Sequence, residues 1–329
     1  MQRRRFLLAA AGMPFVLAAA PQSDPAVQSD VQSLRVLLGR GSAQPVDAES
    51  FLYEGRRYRG SFTSTPDGRV VSVVPLEAYL YSVVSREMPR SWPAEALRAQ
   101  AIAARTYVLG RSNPNRDYDV VPSEADQVYT GIDAESPATT AAVDDTAGHV
   151  LRFGDEFAQI MYSSCCGGHT EASSDAWNGA PIAYLGGVTC TYCTDSPWYR
   201  WTESVALDRV RGAFADRIAS IGTLQRIAVD QTDPSGRARF FRIEGDAGSV
   251  QIKAAEFRSK LGSRVVPSLL VRGVGLDAAQ AQATIAIDGG GLGHGVGLCQ
   301  WGARGLANSG GSARDILALY FPGTTVGHD

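Results

Sequence analysis

The chain has 329 residues, of which 44% are hydrophobic, and its formal net charge is -3. This length and apolar content suffice for one large domain or two closely joined ones, and they exclude a disordered chain. Its 31 basic and 34 acidic residues are intermixed without a basic block, which argues against a nucleic-acid partner.

The first twenty residues, MQRRRFLLAAAGMPFVLAAA, have the pattern of an export signal. A positively charged start precedes a short, interrupted apolar stretch and a run of small residues. Arg3 and Arg4 fit the twin-arginine arrangement, which exports proteins already folded, and an ordinary secretory signal is the alternative. We expect a signal over residues 1–20, a linker over residues 21–33, and a periplasmic or cell-envelope location.

The elements that follow predict a mixture of strands and helices. Alternating residues between turns predict a small antiparallel β region over about residues 34–74. The segment PLEAYLYSVVSREMP has apolar residues at helical spacing, with Pro75 in its first turn and Pro89 as its stop. A second helix is predicted in SWPAEALRAQAIAARTYVLG, with Ser91 as N-cap and Gly110 at its end. The expected fold class is α+β, a helical pair packed with antiparallel β hairpins.

The rest of the chain predicts hairpins and further helices. HVLRFGDEFAQIMYSS reads as a hairpin that turns at Gly154 and Asp155. The span 205–280 predicts a helix, a hairpin and another helix, and we interpret it as an α/β insertion in a domain covering residues 34–323. A glycine-dense loop, GGGLGHGVGLCQWGARGLA, then leads into a helix, and SARDILALYFPG predicts the last helix.

Glu87 is a candidate catalytic acid, because it shares the apolar face of the first predicted helix and lies in its last turn. The negative end of the helix disfavours a carboxylate by about 0.3 to 1 kcal/mol, and burial disfavours it more strongly. Both effects favour the protonated acid that a glycosidic oxygen needs when its bond breaks. The alternative is a scaffold ion pair of Glu87 with Arg105 or Arg86.

Cysteine and histidine residues are spaced as in a metal site. Cys166 and His169 form a Cys-x-x-His pair, and Cys190 and Cys193 form a Cys-x-x-Cys pair. These four fit a closed, tetrahedral Cys3His zinc site with a structural role. The alternatives are a Cys190–Cys193 disulfide, and Cys165 as ligand in place of Cys166.

The glycine-dense loop lacks the order of a dinucleotide fingerprint, and no Lys follows its glycines, so nucleotide binding is disfavoured. Its glycines allow backbone amides and His294 to approach a ligand closely, with Gln300 nearby for hydrogen bonding. The alternative is a tight structural turn around a packed histidine.

Five motifs, in this order, resemble the stage II sporulation protein D family with its amidase-enhancer relatives (SpoIID/LytB), over about residues 34–323. The motifs are VPLEAYLYSVVSREMPRSWPAEALRAQAIAARTY, SEADQVYTG, YSSCCGGHTE, CTYCTDSPWYRW and GLGHGVGLCQWGARGLA. This chain departs from the family pattern at Leu292, where the family usually has Trp, and at Leu298 and Cys299, where it has Met-Ser.

The resemblance implies a lytic transglycosylase that cuts peptidoglycan glycan strands, with a preference for strands stripped of stem peptides. It implies that Glu87 is the catalytic acid and that Cys166, His169, Cys190 and Cys193 carry zinc. Arg105, Ser164, His294 and Gln300 are our candidates for holding the saccharide. Two alternatives remain: a non-catalytic, glycan-binding activator of a cell-wall amidase, and a zinc hydrolase or cysteine peptidase acting on stem peptides.

Overall fold

The computed structural model describes residues 33–277 and 283–329, so the predicted export signal and all but the last residue of the predicted linker lie outside the described residues. Helices and small, mainly antiparallel sheets confirm the predicted α+β class. The chain divides into two compact units. Among the described residues, the first unit comprises those up to Glu87 with Arg111–Glu135, and the second comprises those of Met88–Gly110 with Ser136–Asp329.

The β part of the first unit consists of two three-stranded antiparallel sheets, as predicted for residues 34–74. Its strands are β1 (Ser33–Arg40), β2 (Ala43–Asp47), β3 (Ser50–Tyr53), β4 (Arg56–Arg59), β5 (Ser61–Ser64) and β6 (Arg69–Pro75). Strand β6 is the centre of one sheet, between β1 and β5, and β3 is the centre of the other, between β2 and β4.

Helix α1 (Leu76–Glu87) ends before Pro89, as its sequence predicts, but Pro75 is the last residue of β6 and does not lie in the first helical turn. Leu76, Tyr79, Leu80, Val83 and Val84 are its buried large side chains, which confirms the apolar face. The only other helical segment described in the first unit is a single 3-10 turn, Ile132–Ala134.

The second unit contains the remaining elements. Its helices are α2 (Ala94–Leu109), α3 (Pro137–Asp144), α4 (Ser173–Trp177), α5 (Leu207–Ala213), α6 (Ala215–Ile218), α7 (Ala254–Leu261), α8 (Gln300–Asn308) and α9 (Ala313–Tyr320), with a 3-10 turn at Ala183–Leu185. Its strands are β7 (His149–Phe153), β8 (Glu156–Phe157), β9 (Tyr162–Ser163), β10 (Trp201–Ala206), β11 (Leu224–Thr232), β12 (Ala238–Gly245), β13 (Gly248–Lys253), β14 (Val271–Asp277), β15 (Thr284–Gly289), β16 (Leu298–Cys299) and β17 (Thr325–His328).

Helix α2 is the core helix of the second unit, and it contacts α3, α8, α9 and β7. Five of its six alanine side chains are fully buried, which lets these neighbours approach closely. The predicted N-cap Ser91 is wrong. Pro93, whose ring fixes φ near the observed -55°, occupies the N-cap position instead, after a turn in which the Trp92 amide bonds to the Pro89 carbonyl.

The hairpin predicted at Gly154 and Asp155 is confirmed, because β7 and β8 pair antiparallel on either side of these two residues. Residues 201–289 form two further antiparallel sheets, β10-β15-β14 and β11-β12-β13, around a shared apolar core. The boundaries of an insertion over 205–280 stay a prediction. Among the described residues, no helix is both long enough and apolar enough to cross a bilayer.

Candidate functional site

In the first unit, the segment 127–134 lies along helix α1 and is held there by side chains of the helix. The three helix side chains are those of Tyr79, Ser82 and Ser85, which are spaced three residues apart and therefore project from one face of α1. The bonds are Tyr79 hydroxyl to Gln127 Oε1 (3.2 Å), Thr130 amide to Ser82 Oγ (3.2 Å) and Ser85 hydroxyl to the Ala134 carbonyl (2.6 Å).

Glu87 is the last residue of α1, and its side chain is half-buried, which confirms the partial burial that its helical position predicts. The amide of Val128, in the segment 127–134, donates to Glu87 Oε1 over 3.5 Å. The exposed Arg86 has no hydrogen-bond or ion-pair partner among the residues that the structure describes, so the alternative pair of Glu87 with Arg86 is absent. The alternative pair of Glu87 with Arg105, which belongs to the second unit, stays a prediction.

A solvent-open cavity of about 210 Å³ lies where β4, the end of α1 and the segment 127–134 meet. It is lined by Arg56, Arg86, Thr130, Asp133 and Ala134. The cavity therefore combines two cationic side chains with one carboxylate and one hydroxyl, next to the helix end that carries Glu87.

In the second unit, four buried cysteines form the group most suited to a metal ion. The sulfur atoms of Cys166, Cys190, Cys193 and Cys299 all lie within 4.8 Å of one another. Cys166 Sγ and Cys193 Sγ are 3.7 Å apart, close to the roughly 3.8 Å expected between two sulfurs of a tetrahedral site with Zn–S bonds of about 2.3 Å. All five cysteines of the chain are free in this structure. The donor set thus fits zinc.

The structure places the predicted ligand His169 differently. Within the described part of the chain, His169 does not belong to the cluster of the four cysteine sulfurs. Its Nδ1 lies 2.6 Å from the Thr170 carbonyl oxygen instead. Cys299 supplies the fourth sulfur instead, although it lies 133 positions from Cys166.

Hydrogen-bond donors surround these sulfurs. The amides of Cys166 and Gly302 donate to Cys299 Sγ over 3.2 and 3.3 Å, and the Tyr320 hydroxyl lies 3.1 Å from Cys190 Sγ. Hydrogen bonds from Cys166, Cys193 and other neighbouring groups lower the pKa of the Cys190 thiol, whereas burial and the neighbouring thiols raise the pKa of Cys299. Such donors stabilise thiolates, the form in which cysteine binds metal.

Replacing Gly302 with Ala is expected to destabilise the protein, because the added Cβ would lie 1.9 Å from the Tyr320 hydroxyl oxygen and 2.8 Å from Cys190 Sγ. Overpacking of this kind costs about 1 to 3 kcal/mol. Thermal unfolding measures it, with Gly212→Ala as control, since Gly212 is also helical but has open space around it. An equal or higher Tm for Gly302→Ala than for the control would contradict this packing.

Arg237, which the sequence analysis missed, holds the loop that carries Cys166. Its guanidinium is 1% exposed and donates to the carbonyls of Cys166 (2.9 Å) and His169 (3.1 Å). A Cβ on Gly295 would lie 2.1 Å from Arg237 Nη2, so a glycine is required there. The Glu171 carboxylate lies 3.5 Å from Arg237 Nε. Burial raises the pKa of Glu171 to about 8, although the positive charge of Arg237 acts to lower it.

His294 is packed inside the glycine-dense loop. Its Nε2 lies 3.0 Å from the Tyr162 carbonyl, and its Nδ1 accepts from the Val296 amide over 3.0 Å. Burial lowers the pKa of His294 to about 4, so the neutral ring donates through Nε2. Both nitrogens are engaged with the backbone, which supports a role in shaping the loop, and the predicted contact with saccharide stays a prediction.

The structure brings Ser164 and Gln300 close to this loop. The Trp301 amide donates to the Ser164 carbonyl over 3.0 Å, and the buried Gln300 side chain donates to Gln100 Oε1 over 3.4 Å. Arg105 lies elsewhere in the second unit, fully buried, and donates to the carbonyls of Val143 and His149. Saccharide contacts of these three residues stay predictions.

Comparison with known proteins agrees with the sequence motifs. The family model of the stage II sporulation protein SpoIID matches residues 65–153, which include α1, Glu87 and α2. The model of a domain of unknown function (DUF8618) matches residues 191–297.

Curated relatives cover more of the chain. An uncharacterized protein of Brachyspira hyodysenteriae is 32% identical over 84% of this chain and 74% of its own length. Stage II sporulation protein D of Bacillus amyloliquefaciens is 30% identical over 78% of this chain and 75% of its own length. The amidase enhancer of Bacillus subtilis is 31% identical over 75% of this chain, which spans only 40% of that relative.

Proposed function

Because the chain belongs to the stage II sporulation protein D (SpoIID) family, we propose that it is a cell-wall protein of the bacterial envelope and a peptidoglycan lytic transglycosylase. Its substrate would be glycan strands that lack stem peptides, in which it would cleave the bond between N-acetylmuramic acid and N-acetylglucosamine. The observation that carries this proposal is Glu87, a half-buried acid at the end of α1, next in sequence to Arg86 of an open cavity and inside the region that the family model matches.

In this mechanism Glu87 serves as acid and then as base. The protonated carboxyl donates its proton to the glycosidic oxygen as the bond from that oxygen to the muramoyl C1 breaks. The resulting carboxylate then accepts the proton of the muramoyl 6-hydroxyl, whose oxygen bonds to C1 and closes a 1,6-anhydro ring. Because the nucleophile belongs to the substrate, one carboxyl group suffices and no water is consumed, unlike the paired carboxyls of an inverting hydrolase.

A second candidate function is that of a non-catalytic, glycan-binding activator of a cell-wall amidase. It is favoured by the 31% identity to the Bacillus subtilis amidase enhancer. The zinc-hydrolase alternative has less support. Four buried cysteines would close a zinc ion's coordination sphere, and a catalytic zinc keeps one position open.

We also propose that zinc binds in the second unit through Cys166, Cys190, Cys193 and Cys299. Four sulfur ligands are typical of a structural site. Zinc would link three separate stretches of the second unit: the loop of Cys166, the Cys-x-x-Cys turn, and the start of α8, where Cys299 is the N-cap. Its proposed effect is on stability and on the placement of the glycine-dense loop.

Incubation of the purified protein with peptide-free glycan strands, followed by mass spectrometry, tests the proposed activity. Products ending in 1,6-anhydro-N-acetylmuramic acid are expected. If only intact strands are recovered, while the protein accelerates a cell-wall amidase acting on peptidoglycan that still carries its stem peptides, the activator function replaces the enzyme. Reducing ends formed by addition of water would instead indicate a hydrolase.

A further inference from the structure

The arginines of strand β4 and of the end of α1 fall into two groups. Arg57 forms an ion pair with Asp47, and Arg59 makes two hydrogen bonds to the carboxylate of Glu135 at 2.7 and 2.8 Å. Arg56 and Arg86, which both line the cavity of about 210 Å³, form no ion pair among the described residues. The cavity therefore presents two guanidinium groups that form no ion pair, together with the single carboxylate of Asp133, whereas the neighbouring arginines of the strand are neutralised.

The lining of this cavity suits a ligand that carries both an anionic group and hydroxyl groups. Guanidinium groups bind carboxylates through paired, charge-assisted hydrogen bonds. Asp133 accepts hydrogen bonds from hydroxyl groups, and Thr130 can donate or accept them. A purely anionic ligand such as a polyphosphate is disfavoured by the Asp133 carboxylate. A saccharide with a carboxylate substituent matches all of these groups.

The position of the cavity connects it with the proposed acid. Arg86 immediately precedes Glu87, and consecutive helical residues project about 100° apart, which agrees with an exposed Arg86 beside a half-buried Glu87. The segment 127–134 supplies the Val128 amide at Glu87 Oε1 and also supplies Thr130, Asp133 and Ala134 to the cavity. A sugar bound near Glu87 could thus extend a substituent into the cavity.

We propose that Arg56 and Arg86 bind the free carboxylate of the lactyl substituent of muramic acid. This proposal rests on the proposed function for the identity of the glycan. In a strand that carries stem peptides, the same carboxyl group is an amide and has no charge, so the two arginines lose their ion-pair partner. The subsite would therefore select strands from which the peptides have been removed.

Binding measurements in a Glu87→Gln background, where the substrate is not consumed, test the proposal. Three probes are compared: peptide-free glycan strands, the same strands with their carboxylates converted to methylamides, and chitooligosaccharides, which lack the lactyl group. We expect the native strands to bind more tightly than both uncharged probes. Arg56→Gln and Arg86→Gln should each weaken binding of the native strands by about three- to tenfold, and leave binding of the methylamides unchanged.

Arg57→Gln is the matched control, since Arg57 is adjacent to Arg56 on β4 and is ion-paired with Asp47. The Arg57→Gln variant should keep the parent's ratio of binding affinities for native and methylamide strands. The proposal is overturned if Arg56→Gln and Arg86→Gln keep the parent ratio, or if none of the three probes binds. Failure of the proposed enzymatic function looks different: charge discrimination persists, and the protein with Glu87 intact releases no anhydro ends.

Discussion

Glu87→Gln is expected to lower the release of 1,6-anhydro ends from peptide-free glycan by at least about 10² to 10⁴-fold, the usual contribution of one general acid or base. The amide of glutamine has neither the proton to donate nor the basicity to accept one. The amide oxygen of glutamine can still accept the hydrogen bond that the Val128 amide donates to Glu87 Oε1, so the local structure should persist. Mass spectrometry of the digested strands measures the effect.

Glu77→Gln is the matched control for this prediction. Glu77 lies in the first turn of the same helix, ten residues from Glu87 and therefore about 15 Å away along the helix axis. The control should retain turnover, and both variants should keep the parent Tm. Turnover of Glu87→Gln within a few-fold of the parent would remove Glu87 from the chemistry. Loss of turnover together with a large fall in Tm would identify Glu87 as a scaffold residue.

The features that the sequence predicts well are those set by short-range rules. Helix α1 ends before Pro89, because the residue before a proline disfavours helix, whereas Pro75 ends strand β6 and does not enter the first helical turn. The hairpin at Gly154 and Asp155 follows from a turn between two alternating runs. The N-cap was placed wrongly at Ser91 because capping residues are common and the sequence alone does not show that Pro93 takes the position.

The features that the sequence misses depend on contacts between distant parts of the chain. Cys299 joins Cys166 across 133 positions and belongs to no short Cys-x-x-Cys or Cys-x-x-His pattern. The role of Arg237 depends on a turn after β11 that places its guanidinium against the carbonyls of Cys166 and His169. The glycine at position 295 is the one sequence signal, since the close approach of Arg237 excludes a side chain there.

Cys299→Ser is expected to abolish stoichiometric zinc binding and to lower the free energy of unfolding by more than about 4 kcal/mol, a loss typical of removing a metal or a disulfide. The reason is that Cys299 Sγ completes the group of four sulfurs and accepts the amides of Cys166 and Gly302. A serine hydroxyl is a poor zinc ligand, and it would leave three thiolates and the start of α8 without their common partner. Elemental analysis of the purified protein and thermal unfolding with and without a chelator measure both effects.

His169→Gln separates this site from the Cys3His site that the spacing of the motifs predicts. If Cys299 is the fourth ligand, His169→Gln keeps about one zinc per chain and a chelator-sensitive Tm, because four ligands still close the tetrahedron. If His169 is the fourth ligand, His169→Gln loses the zinc and Cys299→Ser retains it. Full zinc content in both variants would place the metal elsewhere. Absence of zinc from the parent protein, expressed with the metal supplied, would leave the four cysteines as a packed thiol cluster.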